Sequence, residues 1–371
     1  MRGSVLMANA ASGRYGAERS TFTLASGLVA RGWDVEVVLP DYGPLVDELM
    51  RAGVRVSVFE TCVIRRVAGV WGFLRVLVHL PSAVARLTVR ARRSDVVHLN
   101  SSVIIGVPLA AFLARRPLVL HLRESFADHP LLWRGYGLVL RRIVRAVIAV
   151  SRDTADEAAK AGLGGRTRVV HNAEALPPLP SRRVGREGIV AIGRINDWKG
   201  YDVLLESMDM LQKRGVQADL AIAGDVYPGG ERHRDRLFQQ IASRGLSDRV
   251  RLLGFVDDVG QLLERAAVFV LPSRRPEPFG LALLEALSYG VACVASDAGG
   301  PRDLIRPDET GLLVPPGDPV ALADALERLL RSSTFRDRLG QAAAIDVRQR
   351  FSVGRLLDEV EAVYEGVIGC G

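Results

Sequence analysis

Ile189-Val190-Ala191-Ile192-Gly193-Arg194-Ile195-Asn196-Asp197-Trp198-Lys199-Gly200-Tyr201 shows the unit from which the chain is built. Four apolar residues in a row, three of them β-branched, suit a short buried strand better than a helix. A glycine follows at once, and then a polar loop carrying two cations. From Tyr201 to Lys213 the apolar residues Val203, Leu204, Leu205, Met208 and Leu211 recur at helical spacing. Strand, loop and helix in that order form half of a crossover between parallel strands.

The unit repeats in both directions. Downstream we expect strands at Asp219–Ala223, Val250–Leu253, Val268–Leu271 and Val291–Ala295, with helices at Arg232–Ser243, at Phe279–Tyr289 and over most of Pro319–Ile368. Upstream, strands are expected at Ser4–Ala8, Asp34–Leu39, Val54–Phe59, Val96–Leu99, Leu118–His121, Val147–Val150 and Arg168–His171, with helices such as Gly16–Ala30 and Trp71–Arg92 between them. The alternation is broken once, around Pro177-Pro178 and Pro180, which reads as a linker over 176–187. The expected fold is therefore α/β: two doubly wound, Rossmann-like domains, at 1–175 and 188–351, facing an interdomain cleft. In such sheets ligands sit beyond the carboxyl ends of the strands.

Composition narrows the function. The chain has 371 residues, 48% hydrophobic and 25% charged, an ordinary globular balance. The apolar runs Val103–Ala114 and Val144–Val150 are too short to span a bilayer, and the stretch before Asn9 is too short for a secretory signal. Cys62, Cys293 and Cys370 are widely spaced and suggest neither a disulfide frame nor a metal site, so a reducing cytoplasm is expected. Residues 1–174 carry a net charge of +10 and the remainder −3. That basic half could attract an anionic ligand or membrane surface. No nucleic-acid module accompanies it, and nucleic acid is set aside as a partner. Val63–Arg93 mixes Val, Leu and Trp71 with seven arginines. It could lie in a membrane interface, or be a domain helix packed on its sheet.

Three loops carry candidate chemistry. Gly193–Gly200 sets Arg194 and Lys199 just past a strand, where a departing nucleoside diphosphate needs its charge met. Pro272–Leu287 sets Glu277 before a helix expected to start at Pro278, and Glu285 eight residues further on. The backbone N–H groups of Phe279, Gly280 and Leu281 would then face a phosphate, while Glu285 suits the vicinal hydroxyls of a ribose. Ala295–Asp303 is a third strand-to-helix turn, with Gly299-Gly300 permitting close approach to a ligand. In the first half, Gly16 opens a helix after a small-residue loop, and His121 ends a strand just before Arg123 and Glu124. The plainer readings are a solvated loop for the cations, a helix-start charge for Glu277, a solvated helix face for Glu285 and a structural strand-end histidine.

Together these segments resemble the family 4 retaining glycosyltransferases of the GT-B fold, most densely from Gly188 to Leu330. Glu277-Pro-Phe-Gly through Glu285 is similar to that family's Glu-x7-Glu motif. It is followed by Gly290, Ser296–Gly300 and Thr310–Val314. Gly193-Arg194…Lys199-Gly200 resembles the diphosphate loop, Gly16-Ala17-Glu18 the N-terminal glycine loop, and His121 the first-domain histidine. Asp303 and Asn172-Ala173-Glu174 depart from the family pattern.

The resemblance implies that Arg194 and Lys199 hold the diphosphate, that Glu277 binds donor-sugar hydroxyls and Glu285 the ribose. Gly16 would line the phosphate and acceptor side, with His121 near the donor sugar. It further implies a nucleotide-sugar donor as substrate, no cofactor and no metal, and a glycan, lipid-linked or small-molecule acceptor. A helix over 352–371 would return to complete the first domain. The enzyme is expected to be cytoplasmic or peripheral on the inner face of the membrane. A nucleotide-sugar epimerase of the same architecture, or a non-catalytic binding subunit, is the alternative.

Overall fold

The computed structural model describes residues 2–63, 69–124, 130–178, 185–227 and 229–369. The chain divides into two compact units, Met1–Glu174 with Val353–Gly371 and Ala175–Ser352.

The first unit holds β1 (Ser4–Ala8), β2 (Asp34–Leu39), β3 (Arg55–Val58), β4 (Val96–Leu99), β5 (Leu118–Leu122), β6 (Val144–Ala149) and β7 (Thr167–Val169). They form one parallel sheet in the order β3-β2-β1-β4-β5-β6-β7. Alternation along β1 shows how the sheet is covered. Val5 and Met7 point into one core with Leu24 and Leu28 of helix Gly16–Ala30 and with Val360 and Tyr364 of the C-terminal helix Val353–Ile368. Leu6 and Ala8 point into the other, with Leu87 of helix Gly69–Ala91 and Val107 of helix Gly106–Ala114. Two buried faces explain why these strands read as continuous apolar runs. The chain reverses its winding between β1 and β4, and that gap is where a doubly wound sheet accepts ligands.

The second unit holds β8 (Glu187–Ile192), β9 (Leu220–Ala223), β10 (Val250–Gly254), β11 (Ala266–Leu271), β12 (Ala292–Ser296) and β13 (Leu312–Val314). Its six parallel strands run β10-β9-β8-β11-β12-β13, with the reversal between β8 and β11. Ile189, Ala191, Val268, Val270 and Val294 form one core with Leu204, Leu205 and Met208 of helix Tyr201–Lys213.

Differences from expectation are local. β13 has three residues, too few for alternation or length to mark it. The helix after β11 starts at Leu281, not at Pro278, because Gly280 before it takes a left-handed φ of 97° that no helix continues through. The segment Val63–Arg93 packs Ala83, Val84, Leu87 and Ala91 into the core, while Val78 and Val89 face outward. Its stretch 64–68, like Pro180 of the linker, lies outside the described residues.

Candidate functional site

In the second unit three loops leave the tips of β8, β11 and β12. The first is folded by its own side chains. Asn196 Oδ1 accepts the backbone N–H groups of Trp198 at 3.2 Å and Lys199 at 3.1 Å, and Tyr201 Oη donates to the Gly193 carbonyl at 2.8 Å. It is tied to the second loop by the Arg274 N–H, which donates to the Trp198 carbonyl at 2.8 Å. Gly200 sits at that junction with a φ of 70°, and a Cβ there would overlap the Pro272 carbonyl. The third loop clasps the second from its other side. Gly300 N–H donates to the Glu277 carbonyl at 2.7 Å, and Cβ atoms on Gly299 and Gly300 would strike the backbones of Glu277 and Phe279. The diglycine is therefore a packing requirement of the strand-tip loops.

This frame brings together residues far apart in sequence. Lys199 Nζ lies 2.7 Å from Glu277 Oε2, which also accepts Ser273 Oγ at 3.1 Å. Both charged side chains are only 12% exposed, so each is largely out of water and each neutralises the other. Lys199 also stands 4.5 Å from the Trp198 ring, and the Arg194 guanidinium 4.2 Å from the Tyr227 ring, both within cation–π range. Phe279 is buried against Phe351, their ring centroids 6.0 Å apart. Gly280 precedes helix Leu281–Ser288 as its N-cap, and Glu285 is half-buried on that helix between the core residues Leu284 and Ala286. Arg194, Lys199, Glu277, Phe279, Gly280 and Leu281 thus lie on the loops that leave β8 and β11 at the sheet's reversal point, with Glu285 a turn into the helix that follows. Trp198, Ser273 and Tyr227 were not singled out from sequence, since an aromatic or serine in a loop carries no periodic signal.

Gly16 and His121 belong to the first unit. Gly16 starts helix Gly16–Ala30 beyond β1. Glu18, two residues on, is buried, and its Oε2 has no hydrogen-bond partner among the described residues. His121 does not reach the surface. It is fully buried inside β5, its Nδ1 3.2 Å from His98 Nε2 on β4 and 3.3 Å from Arg123 NH2. Burial, then the Arg123 charge, then His98 hold His121 well below the usual histidine range. Burial and Arg123 likewise lower His98 to about 3, so both rings are neutral. The group that emerges past the strand tip is the half-buried Arg123, which donates to Asn172 Oδ1 at 2.7 Å. Glu124 beside it accepts the hydroxyls of Ser101 and Ser102, and burial raises its carboxyl above the usual range. Glu174, where the linker departs from the family pattern, is paired with Arg19 at 3.1 Å.

Among the described residues no group of three or more His, Cys, Asp or Glu is placed to hold a metal ion, and no helix is long and apolar enough to cross a membrane.

Comparison with known proteins agrees with this architecture. Residues 15–173 match glycosyltransferase family 4, and residues 180–346 match glycosyl transferases group 1. A lipopolysaccharide core biosynthesis mannosyltransferase, LpcC of Rhizobium leguminosarum bv. viciae, is 33% identical over 185 residues, 50% of this chain and 52% of its own. A phosphatidyl-myo-inositol mannosyltransferase of Mycobacterium leprae is 36% identical over 194 residues, 51% of this chain and 49% of its own. The chain thus spans about half the length of the curated relatives it matches. Among solved structures, Anabaena HepE in complex with UDP-glucose superposes with a TM-score of 0.86 over 98% of this chain and 100% of its own, at 24% identity. With both halves matched and both sheets of the Rossmann type, the chain belongs to the family 4 glycosyltransferases and has the GT-B fold.

Proposed function

We propose that this chain is a retaining, metal-independent glycosyltransferase that moves a sugar from a nucleoside-diphosphate donor to a hydroxyl of a glycan, lipid-linked or small-molecule acceptor. The observation that carries the reading is the Lys199–Glu277 pair at the reversal point of the second sheet, within a backbone cradle that only glycine permits. A water-poor site holding a balanced ion pair has two separable functions. Incoming phosphate draws Lys199 away, and Glu277 is then free to accept hydrogen bonds from sugar hydroxyls. Arg194 adds a second permanent cation, and Glu285 is assigned to the ribose.

In the step itself the bond from the anomeric carbon to the diphosphate oxygen breaks as the acceptor oxygen bonds on the same face. The acceptor's proton passes to the departing phosphate. Negative charge grows on the leaving group, so Arg194, Lys199 and the helix-start N–H groups stabilise the transition state more than the bound donor. The mannosyltransferase relatives and the UDP-glucose bound to HepE favour a hexosyl donor.

We also place the enzyme on the cytoplasmic face of an anionic membrane, where a lipid-linked acceptor is reached. Support comes from the first unit. Leu109, Phe112 and Leu113 on helix Gly106–Ala114 are exposed, as are Leu131, Leu138 and Val139 on the neighbouring helix Pro130–Ile143. Exposed Arg115, Arg116, Arg134, Arg141 and Arg142 lie among them.

The test is a panel of nucleotide sugars offered with mixed acceptors and read by mass spectrometry. Transfer of a hexosyl mass is expected. Conversion of the donor to its epimer without acceptor, or binding without turnover of any donor, would replace this reading with one of its alternatives.

A further inference from the structure

The first unit contains a hydrogen-bonded chain that crosses its interior. It begins on the C-terminal helix, where Tyr364 Oη lies 2.7 Å from His98 Nδ1. His98 Nε2 lies 3.1 Å from Asn100 Oδ1 and 3.2 Å from His121 Nδ1. His121 Nδ1 in turn lies 3.3 Å from Arg123 NH2. Arg123 Nε and NH2 each lie 3.4 Å from Asn100 Oδ1, which closes the chain into a ring around the guanidinium.

The proton positions follow from the donors at the two ends. Arg123 can only donate, so His121 Nδ1 is an acceptor and its proton sits on Nε2. His98 Nε2 faces two acceptors, Asn100 Oδ1 and His121 Nδ1, so it carries the His98 proton, and the bare Nδ1 accepts from the tyrosine hydroxyl. With that assignment His98 is satisfied on both nitrogens as a neutral ring. A proton on His121 Nδ1 would set a donor against the Arg123 N–H and the His98 Nε2–H.

The arrangement is costly as a purely structural element. Tyr364, His98 and His121 are fully buried, and the His121 Nε2 proton has no partner among the described residues. Among the described residues no carboxylate hydrogen-bonds to the Arg123 guanidinium. Glu124 is turned to Ser101, Ser102 and the Arg123 backbone N–H, and acts on the cation, as does Glu18, only through space. An apolar core of the same volume would be at least as stable as such a set. What the set does achieve is orientation, because neutral acceptors behind a guanidinium fix its plane without consuming its charge.

We propose that Arg123 is a phosphate-contacting residue of the first unit and that Tyr364, His98 and His121 are its positioning residues, acting from the C-terminal helix through the sheet. The proposal rests on the transferase reading for the source of the phosphate. The phosphate belongs either to the donor's diphosphate or to a phosphorylated acceptor.

A double-mutant cycle on the full chain tests it. Tyr364→Phe keeps the ring that packs edge-on to Trp33 and His98 and removes only the donor. Arg123→Lys keeps the charge and loses the planar fork. Release of nucleoside diphosphate from UDP-glucose and GDP-mannose is followed with and without acceptor. Each single variant should slow turnover on the order of tenfold to a hundredfold, as a small misplacement of a charged group does. The double variant should be no slower than Arg123→Lys, because Tyr364 acts through Arg123. Losses that multiply, or a Tyr364→Phe chain that turns over at the wild-type rate, overturn the proposal. A raised donor KM assigns the contact to the diphosphate; a change seen only with acceptor present assigns it to the acceptor.

A second arm needs no turnover. Side-chain nitrogen NMR of the wild-type chain should show His98 and His121 neutral, protonated on Nε2, from pH 5.5 to 8. Inorganic pyrophosphate should shift the Arg123 Nε signal, and less so in Tyr364→Phe. Absence of donor turnover together with that shift would sink the transferase reading and leave the anion site standing. Absence of the shift sinks the site.

Discussion

At the scale of single residues, Lys199 and Glu277 are coupled, and their substitutions should not be equivalent. Lys199→Ala leaves the mostly buried Glu277 carboxylate with only the Ser273 hydroxyl as a side-chain partner among the described residues, and also removes a charge that the leaving diphosphate needs. Turnover should fall about a hundredfold or more, with a smaller change in donor KM, because the charge that Lys199 meets grows as the bond breaks. Glu285→Ala should show the reverse pattern: weaker nucleotide binding with the rate at saturation little changed. Steady-state kinetics on both variants, with nucleoside diphosphate binding by calorimetry, separates them. A Lys199→Ala enzyme with unaltered kcat would remove that residue from the chemistry. The residue scale also shows what loop glycines are for. Gly200, Gly299 and Gly300 each lie where a Cβ meets another loop's backbone, so the three strand tips can close on one another only without side chains at those points.

At the scale of elements, the C-terminal helix Val353–Ile368 is held to the first unit by polar as well as apolar contacts. Glu361 accepts Trp33 Nε1 at 2.8 Å, Arg31 NH1 at 2.7 Å and Arg2 NH1 at 3.2 Å. Burial alone would raise its carboxyl, but the Arg31 and Trp33 hydrogen bonds outweigh that and bring it below the usual value of 4.5. A carboxyl depressed on folding contributes stability that is present above 4.5 and lost as pH falls through the lowered folded value. Glu361→Gln should therefore cost about 2 kcal/mol at pH 7 and much less at pH 3, as read by urea unfolding at the two pH values. An equal loss at both would show that shape, not charge, anchors the helix.

Two other helices of that unit, Gly106–Ala114 and Pro130–Ile143, carry the exposed apolar and basic residues assigned to a membrane surface. The wild-type chain should sediment with anionic vesicles at low salt and far less at high salt. Phe112→Ser with Leu131→Ser should weaken that binding at low salt. Equal sedimentation with neutral vesicles, or none at low salt, removes the membrane from the proposal.

At the scale of the whole molecule, the reaction can be read in its product. If the acceptor enters on the face from which the diphosphate leaves, the anomeric configuration of the donor is kept. If Arg194, Lys199 and backbone N–H groups meet the leaving charge, a chelator leaves the rate unchanged. Proton NMR of the first-formed product, recorded with excess chelator, checks both. An inverted centre, or activity that disappears until a divalent ion is restored, would rule out the mechanism proposed here.

The α/β class, the repeated strand–loop–helix unit and most strand positions can be read from the residue pattern alone, because two-faced burial writes each strand as an unbroken apolar run such as Ile189–Ile192. It also marked the cationic loop and the paired glutamates, since charge beside glycine at a strand end is visible without coordinates. Which of those residues meet is fixed by packing across the sheet. Lys199 and Glu277 are 78 positions apart, and what joins them is the reversal of winding between β8 and β11. The helix start at Leu281 was settled by the left-handed turn of Gly280, which Pro278 in the sequence disguised. His121 looked like a strand-tip residue, yet β5 runs one residue further, and the ring is turned inward to His98. Tyr364 lies 266 positions from His98, in a helix whose sequence says only that one face is apolar. A polar hydroxyl on that face finds its partner only when the chain's end is laid against its beginning, and no local pattern encodes that distance.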